Sequence, residues 1–463
     1  MRRRAAYGIP VILGFLFCLW YIFKASDNVA YSDYIRLINS YLPDVANPAK
    51  FFVPDILTRV PVTYLGRIIN VKMFGYNTFF DMILGIVSLA AGAAALAWYS
   101  ADRRRVGYVW FVFIQFVYFS LNKWEMMTNG TGWVCFLSIS GFIFHFVVLD
   151  RAVRTGGGGK KEKICLFVLP PVLTLLVAGP YCGGYSAIAL LAYGALLWNG
   201  YRREKRFDLV WLGGAAAVLL PLLLYLWSNS QAVYVHRGAV SDVSIVQEFV
   251  RSPEFFLSFI LKAFASAVVG VAQLEQLEQE SGGPLFLYVL GVVVIIMYLT
   301  ALYLNIRFRL WEKTVFPLLM ILSGGFNHLL ILAARWIFLN DEYGMSSRYE
   351  IQYQMGIIGI LLTFALVWEA GKNQEIKQRA SGLKKALILC FSALILWGNI
   401  WTTAAEIRTA PFRRDYLQIS RELGLNYRTA ADEDLEMYLH SDADDIRSAM
   451  RILEENNLNI FRK

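Results

Sequence analysis

The sequence predicts an all-α polytopic membrane protein, and three observations carry that prediction. Of its 463 residues, 57% are hydrophobic and 17% charged, against about 45–50% and about 25% in an ordinary soluble domain. Mean hydropathy is +0.47. The apolar residues fall in runs of roughly 16 to 21, lengths at which a helix crosses a hydrocarbon layer. Short Arg/Lys clusters punctuate the runs, as cytoplasmic loops do. Together these exclude a soluble enzyme and a disordered chain.

Taken in order, twelve apolar segments lie at 7–23, 79–99, 106–121, 132–149, 164–179, 185–200, 209–227, 255–272, 284–304, 315–334, 351–371 and 386–402. Arg2, Arg3 and Arg4 put the N-terminus on the cytoplasmic side. The first segment reads as an uncleaved anchor, because its run is longer than a usual signal-peptide core and no small-residue cleavage site follows. Alternation then places Arg103 to Arg105, the 150–163 loop and Arg202 to Arg206 inside. If 255–272 also crossed, Arg307, Arg309, Lys313 and the basic 372–385 stretch would fall outside. That segment carries Lys262 in mid-run, so it is expected to be re-entrant or to lie along the outer face. About eleven crossings follow, with 23 Lys/Arg against 7 Asp/Glu on the inside and an external C-terminus. The plasma (inner) membrane is the expected location.

The net charge of +9 is therefore a mark of orientation, and no nucleic-acid partner is expected. Cys18, Cys135, Cys165, Cys182 and Cys390 form no CxxC pair, which argues against a zinc site or a disulfide framework. Gly156 to Gly159 lack the Lys-Ser/Thr of a phosphate loop and read as a linker.

Two external features stand out: a loop at 24–78 and a tail at 403–463 beyond the transmembrane region 1–402. In the loop, Tyr34, Ile38, Tyr41 and Leu42 recur at helical spacing, and Leu57, Val60, Tyr64, Leu65 and Ile68 make a second stripe. Such helices are expected to lie in the interface plane with their apolar faces among the headgroups. The tail carries Ile446, Ala449, Met450 and Leu453 on one helical face, opened by Ser441 and Asp444 at capping-box spacing. Acids in a first helical turn suit the macrodipole, so Asp442, Asp444 and Asp445 are read as helix-starting and not as metal ligands.

Few charges interrupt the spans, and no internal repeat of the transporter kind is visible. Instead, Asp27, Asp33, Arg59, Trp124, Glu125, His236, Arg237, His328, Arg335, Ser347, Arg348 and Tyr349 fall on the outer side. A carboxylate near the membrane, guanidinium groups and long apolar helices suit transfer from a lipid-phosphate donor. The carboxylate takes the proton of an acceptor hydroxyl, and arginine holds the leaving phosphate. Plainer readings stand beside these: Asp33 solvated in a wet loop, Trp124 an aromatic-belt anchor, Arg348 reaching headgroup phosphates, His328 a packing residue. Lys262 needs an anion, which a lipid phosphate would supply.

These residues resemble a family. Val29-Ala30-Tyr31-Ser32-Asp33-Tyr34 after the first span, Arg59 within Leu57-Thr58-Arg59-Val60-Pro61, Ser120-Leu121-Asn122-Lys123-Trp124-Glu125, and Ser347-Arg348-Tyr349 before a long span are similar to motifs of bacterial multi-spanning proteins of the GT-C glycosyltransferase type. The segment Asn129-Gly130-Thr131-Gly132 stands where a longer downstream motif is usual. The resemblance implies a GT-C-like fold, a polyprenyl-phosphate-linked sugar donor and an external glycan or lipid-linked acceptor. It implies Asp33 as base with Asp27 in reserve, and Arg348 on phosphate.

The candidate residues are thus Asp33 and Asp27 for catalysis, with Glu125, Trp124, Arg59, Arg348, Tyr349 and Lys262 for substrate. No cofactor is expected; a divalent metal is possible, but no ligand spacing demands it. A flippase or exporter of lipid-linked saccharides, and a polysaccharide polymerase or ligase, are the rivals. The transferase reading requires Asp33 and Arg348, more than three hundred positions apart, to meet in one pocket.

Overall fold

The computed structural model describes residues 5–52, 60–102, 105–230, 239–241, 243–370 and 382–463. Arg59, His236 and Arg237 lie outside the described residues. Among those described, all regular structure is helical.

Helix α1 (Gly8–Ala25) has Lys24 in its last turn, where a cation suits the macrodipole. Two short amphipathic helices follow, α2 (Asp33–Tyr41) and α3 (Pro61–Ile69). Pro61 opens α3 at a position where a missing N–H is harmless. Asn77 caps α4 (Thr78–Ala101) by accepting the Phe79 N–H at 2.9 Å. Next come α5 (Tyr108–Tyr118), the single turn α6 (Trp124–Thr128) and α7 (Trp133–Arg154). Helices α8 (Lys160–Val172) and α9 (Cys182–Glu204) are separated by a break at Gly179, whose φ of 50° favours glycine. Helix α10 spans Leu209–Ser230. Three shorter helices, α11 (Ile245–Arg251), α12 (Pro253–Ser266) and α13 (Val271–Ser281), precede α14 (Leu285–Arg307), α15 (Phe316–Arg335) and α16 (Glu350–Ala370). The chain ends in α17 (Gly382–Leu425), α18 (Asp432–Leu439) and α19 (Ala443–Glu455).

Nine of the described helical stretches are long and apolar enough to cross a membrane, with Lys160–Glu204 counted as one. Two of the twelve apolar segments yield shorter helices. Segment 106–121 becomes α5, 11 residues or about 16 Å. Segment 255–272 becomes α12, which stops at Ser266 and is followed by the polar α13.

Helix α16 is the axis of the bundle. Residues 350–365 are all buried, so the segment has no polar face to show. A Cβ at Gly324 of α15 would strike the Gly356 backbone, and one at Gly359 would strike Ile321. Small residues at these crossings let α15 and α16 touch backbone to backbone.

A second core lies at the end of the bundle that carries the loop and the tail. Ile35, Ile38 and Tyr41 of α2 are buried with Leu435, Ile446, Met450 and Leu453 of the tail. The apolar stripe of α2 is thus covered by protein and not by headgroups, because α19 offers a matching stripe. Of the two loop helices, α3 keeps large apolar groups outward, with Leu65 and Ile69 exposed. Helix α17 is 44 residues long, about 66 Å, and passes residues 402–403 without a break. Helix α19 begins at Ala443 with Asp442 as its N-cap, one residue later than Ser441 suggests, and the Ala443 N–H donates to Glu436 Oε1 at 3.1 Å.

Candidate functional site

Three separate stretches of sequence meet where the two cores join. Asp33 opens α2, where an acid suits the helix N-terminus. Glu125 lies in α6, held in place by the preceding turn Leu121–Lys123. Arg348 precedes α16. The Arg348 Nε donates to Glu125 Oε1, and the Ser347 hydroxyl donates to Glu125 Oε2 at 3.0 Å. Arg348 Nη1 stands 3.7 Å from Asp33 Oδ2, and Arg36 Nη2 stands 3.7 Å from Asp33 Oδ1. Both of these are ion pairs beyond hydrogen-bond reach. Burial alone would lower the Arg348 pKa, but the Glu125 and Asp33 carboxylates hold it above its ordinary value.

Two cavities flank this cluster, and Arg348 and Asn129 line both. The first, about 710 Å³, is mostly apolar: Ala25, Trp124, Phe412 and Leu417 face it, with Glu125, Arg413 and His440. The second, about 460 Å³, is mixed and carries more charge: Asp33, Arg36, Arg67, Asp81 and Arg335 line it with Leu37, Val60, Trp133 and Phe338. Consecutive residues straddle the wall, Ser32 on the first cavity and Asp33 on the second. Both volumes fall in the range of small-molecule sites.

The tail shapes the wall. Ser32 has φ 53° and ψ −124°, an uncommon conformation for a side-chain-bearing residue, and its N–H donates to Leu439 O at 2.7 Å. The Ala30 N–H donates to Asn459 Oδ1 at 3.1 Å, and Asn459 Nδ2 donates to Asn28 Oδ1 at 3.0 Å and to Tyr76 O at 2.8 Å. The residues leading into Asp33 are therefore pinned from the far end of the chain.

Trp124 lies under the guanidinium of Arg413, 3.2 Å from its ring centroid. Arg413 is fixed by Glu406, to which Nε and Nη2 both donate at 3.1 Å. Tyr349 accepts from Arg335 Nε at 2.6 Å. Asp27 accepts the Asn28 N–H at 2.8 Å and lines neither cavity. Lys262 stands apart as well: Asp341 and Glu278 each pair with it at 3.2 Å, so protein carboxylates, not a lipid phosphate, supply its anion. His328 is stacked between Phe264 and Tyr353 at 3.9 and 4.0 Å, within the packing of α15 and α16. Among the described residues, no group of three or more His, Cys, Asp or Glu is arranged to hold a metal ion.

Sequence reasoning passed over Arg36, Arg67, Arg413 and His440. Arg36 is one turn from Asp33, and Arg413 lies two helical turns from Glu406, so helical spacing alone could have found both. Nothing local marks Arg67 or His440, which reach the cavities through tertiary packing. No family model, curated protein or solved structure matches the chain.

Proposed function

We propose that the protein is a GT-C-like membrane glycosyltransferase. In this reading it moves one sugar from a polyprenyl-phosphate donor to an external cell-envelope glycan or lipid-linked acceptor, with inversion. The observation that carries the reading is the shared wall: a carboxylate and a guanidinium from distant parts of the chain divide a mostly apolar cavity from a more highly charged one. A prenyl phosphate and a hydroxylated acceptor need two such chambers side by side.

The lipid phosphate sits in the first cavity between Arg348 and Arg413, its chain leaving past the exposed Phe412. The sugar reaches across the wall. Asp33 takes the proton of the acceptor hydroxyl as that oxygen bonds to the anomeric carbon. The bond from this carbon to the phosphate oxygen breaks, and its electron pair leaves on the phosphate, whose charge Arg348 stabilises. One displacement inverts the centre. Glu125 orients Arg348 and receives sugar hydroxyls. Eleven crossings, a cytoplasmic N-terminus and an external tail in the plasma membrane belong to the same proposal. Flipping a lipid-linked saccharide would ask for a cavity reaching toward both sides, and these two cavities both sit at one end of the bundle.

The test is sugar transfer in membranes supplied with polyprenyl-phosphate sugars, comparing the native chain with Asp33→Asn and Arg348→Ala. Asp33→Asn is expected to lose at least ~10²-fold in turnover, the lower range for removing a general base, and Arg348→Ala at least ~10²-fold, the lower range for removing a donor to developing negative charge. Unchanged turnover in both removes the site.

A further inference from the structure

The second cavity holds a carboxylate that the proposed reaction does not use. Asp81 lies in the first turn of α4, is 7% exposed and lines that cavity together with Asp33. One of its oxygens is engaged: Oδ2 accepts the Tyr34 hydroxyl at 3.0 Å and the Asn70 amide at 3.2 Å. Gly130 leaves room for this meeting, since a Cβ there would strike the Tyr34 hydroxyl and the Asp81 Cβ. The Arg67 guanidinium faces the carboxylate and supplies its counter-charge.

The other oxygen is placed differently. Among the described residues nothing donates to Asp81 Oδ1, yet this atom is not enclosed, so the exposed part of the residue includes it. Glu406, comparably buried, gives both of its oxygens to Arg413. An ionised carboxylate only accepts, so Asp81 Oδ1 calls for a donor from the cavity. A second cation suits it poorly, because Arg67 already balances the charge. A hydroxyl suits it well. Trp133, Tyr181, Phe338 and Tyr349 line the same cavity, and aromatic walls with a few placed polar groups are how small-molecule sites hold a ligand's apolar face while fixing its orientation.

We infer that Asp81 is a second substrate-binding carboxylate: its Oδ1 accepts one hydroxyl of the acceptor while Asp33 takes the proton of another. The acceptor is then a sugar that presents at least two free hydroxyls to this cavity. This rests on the glycosyltransferase reading, which places the acceptor there. A simple alcohol would satisfy Asp33 and leave Asp81 Oδ1 cut off from water without a donor, which is costly. Asp81→Asn inverts the open position. Tyr34 and Asn70 both donate, so the new amide turns its oxygen to them and its NH₂ to the cavity, where an acceptor stood.

Binding tests this without relying on transfer. The full chain in nanodiscs of zwitterionic lipid is titrated with glucose, galactose, mannose and cyclohexanol. At least one sugar is expected to saturate, with cyclohexanol at least about tenfold weaker. Asp81→Asn should weaken that sugar at least about tenfold. Asn70→Ala removes a donor to Oδ2 and leaves Oδ1 open, so it should lower the unfolding temperature yet keep the affinity within about threefold. Deoxy forms of the sugar that binds give the ligand side. Two hydroxyl positions should each cost the native chain at least about tenfold when removed, and one of the two should cost the Asp81→Asn chain nothing further. The native-chain part of this comparison stands even if a variant fails to elute as a single species. No saturable sugar binding, cyclohexanol binding as tightly, indifference to Asp81→Asn, equal losses in Asp81→Asn and Asn70→Ala, or a single hydroxyl that matters would each overturn the inference. If the sugar binds as described but no polyprenyl-phosphate sugar is turned over, the transferase reading falls and the sugar pocket stands. Transfer with an unchanged KM for the acceptor in Asp81→Asn removes the inference and leaves the transferase.

Discussion

Two clusters of carboxylates and guanidinium groups occupy opposite ends of the bundle, built from the same residue types and put to different ends. At one end Asp150, fully buried, accepts from the Thr314 hydroxyl at 2.6 Å and the Val315 N–H at 2.8 Å on one oxygen. Its other oxygen accepts from Arg154 Nε at 2.9 Å and Arg105 Nη1 at 3.2 Å. Asp102 closes the ring, 3.2 Å from Arg105 and 3.4 Å from Arg154. This group fastens the end of α7 to the start of α15 and satisfies N–H groups that a helix N-terminus leaves open. At the other end Asp33 is 35% exposed, its two ion pairs are 3.7 Å long, and a cavity opens beside it. Charge composition does not separate a fastening from a site. Hydrogen-bonding capacity left over, together with room to reach it, does.

The largest effect expected is the one that would break this contrast. Asp150→Ala leaves two part-buried arginines with Asp102 alone as their anion and uncaps α15, a loss of about 3 kcal/mol, the low end for a buried pair with one partner removed. The solubilised protein should fail to elute as a single species or should unfold at a much lower temperature. Asp33→Asn should leave the unfolding temperature nearly unchanged while turnover falls ~10²–10⁴-fold. Equal thermal responses in the two variants would dissolve the distinction.

Next in size is Arg348→Lys. The charge remains, but a point-like ammonium cannot bridge Glu125, Asp33 and a phosphate at once. Losing one hydrogen bond to a charged group is worth about 1.5–3 kcal/mol, roughly 10- to 150-fold in kcat/KM. A stable, fully active Arg348→Lys variant would mean that the guanidinium fork is not what the wall uses.

How far these clusters could be read from sequence follows from the physics of each signal. The apolar runs report burial in lipid directly, so the helices and most of their positions were legible. Lys262 marked one of the two segments whose helices come out short, because an ammonium in an apolar run needs local partners; nothing comparable marks 106–121. Asp33, Glu125 and Arg348 were each visible as polar residues at span ends, yet their meeting was not, since nothing in a chain of spans states which ends are neighbours. In sequence the Asp150 cluster looks like loop charge that sets orientation. Arg105 and Asp150 look identical in sequence whether they face water or each other. The stripe on α2 was seen, but an amphipathic stripe does not say whether lipid or protein covers it, and α19 covers it.

A third prediction separates the two ends by their dependence on the tail. Asn459→Ala removes the donors and acceptor that hold Ala30, Asn28 and Tyr76, about 1–3 kcal/mol for each buried group left unanswered. Docking of the tail should weaken, seen as faster proteolysis after residue 425. Turnover should fall with it, because Ser32 and Asp33 lose their support. The Asp150 end should not respond, which hydrogen exchange at Val315 and Phe316 would show.

The smallest effect is a pH dependence confined to the tail end. His440 has φ 54°, lies 3.2 Å through Nε2 from the Tyr416 hydroxyl and borders the first cavity. Partial burial first, and the Arg348 charge second, push its imidazole below the ordinary value, with Glu125 opposing. The folded protein therefore resists a proton that the unfolded chain accepts near pH 6.5. Stability from this group is whole above that pH and is lost as the pH falls toward the lowered folded value. His440 is exposed enough for water to screen much of this, which is why it ranks last. His440→Gln should flatten the fall in unfolding temperature between pH 7 and pH 5 while leaving the temperature at pH 7 nearly unchanged. A native and a variant curve that fall in parallel would place the acid sensitivity elsewhere and free the tail end from any charge coupling to Arg348.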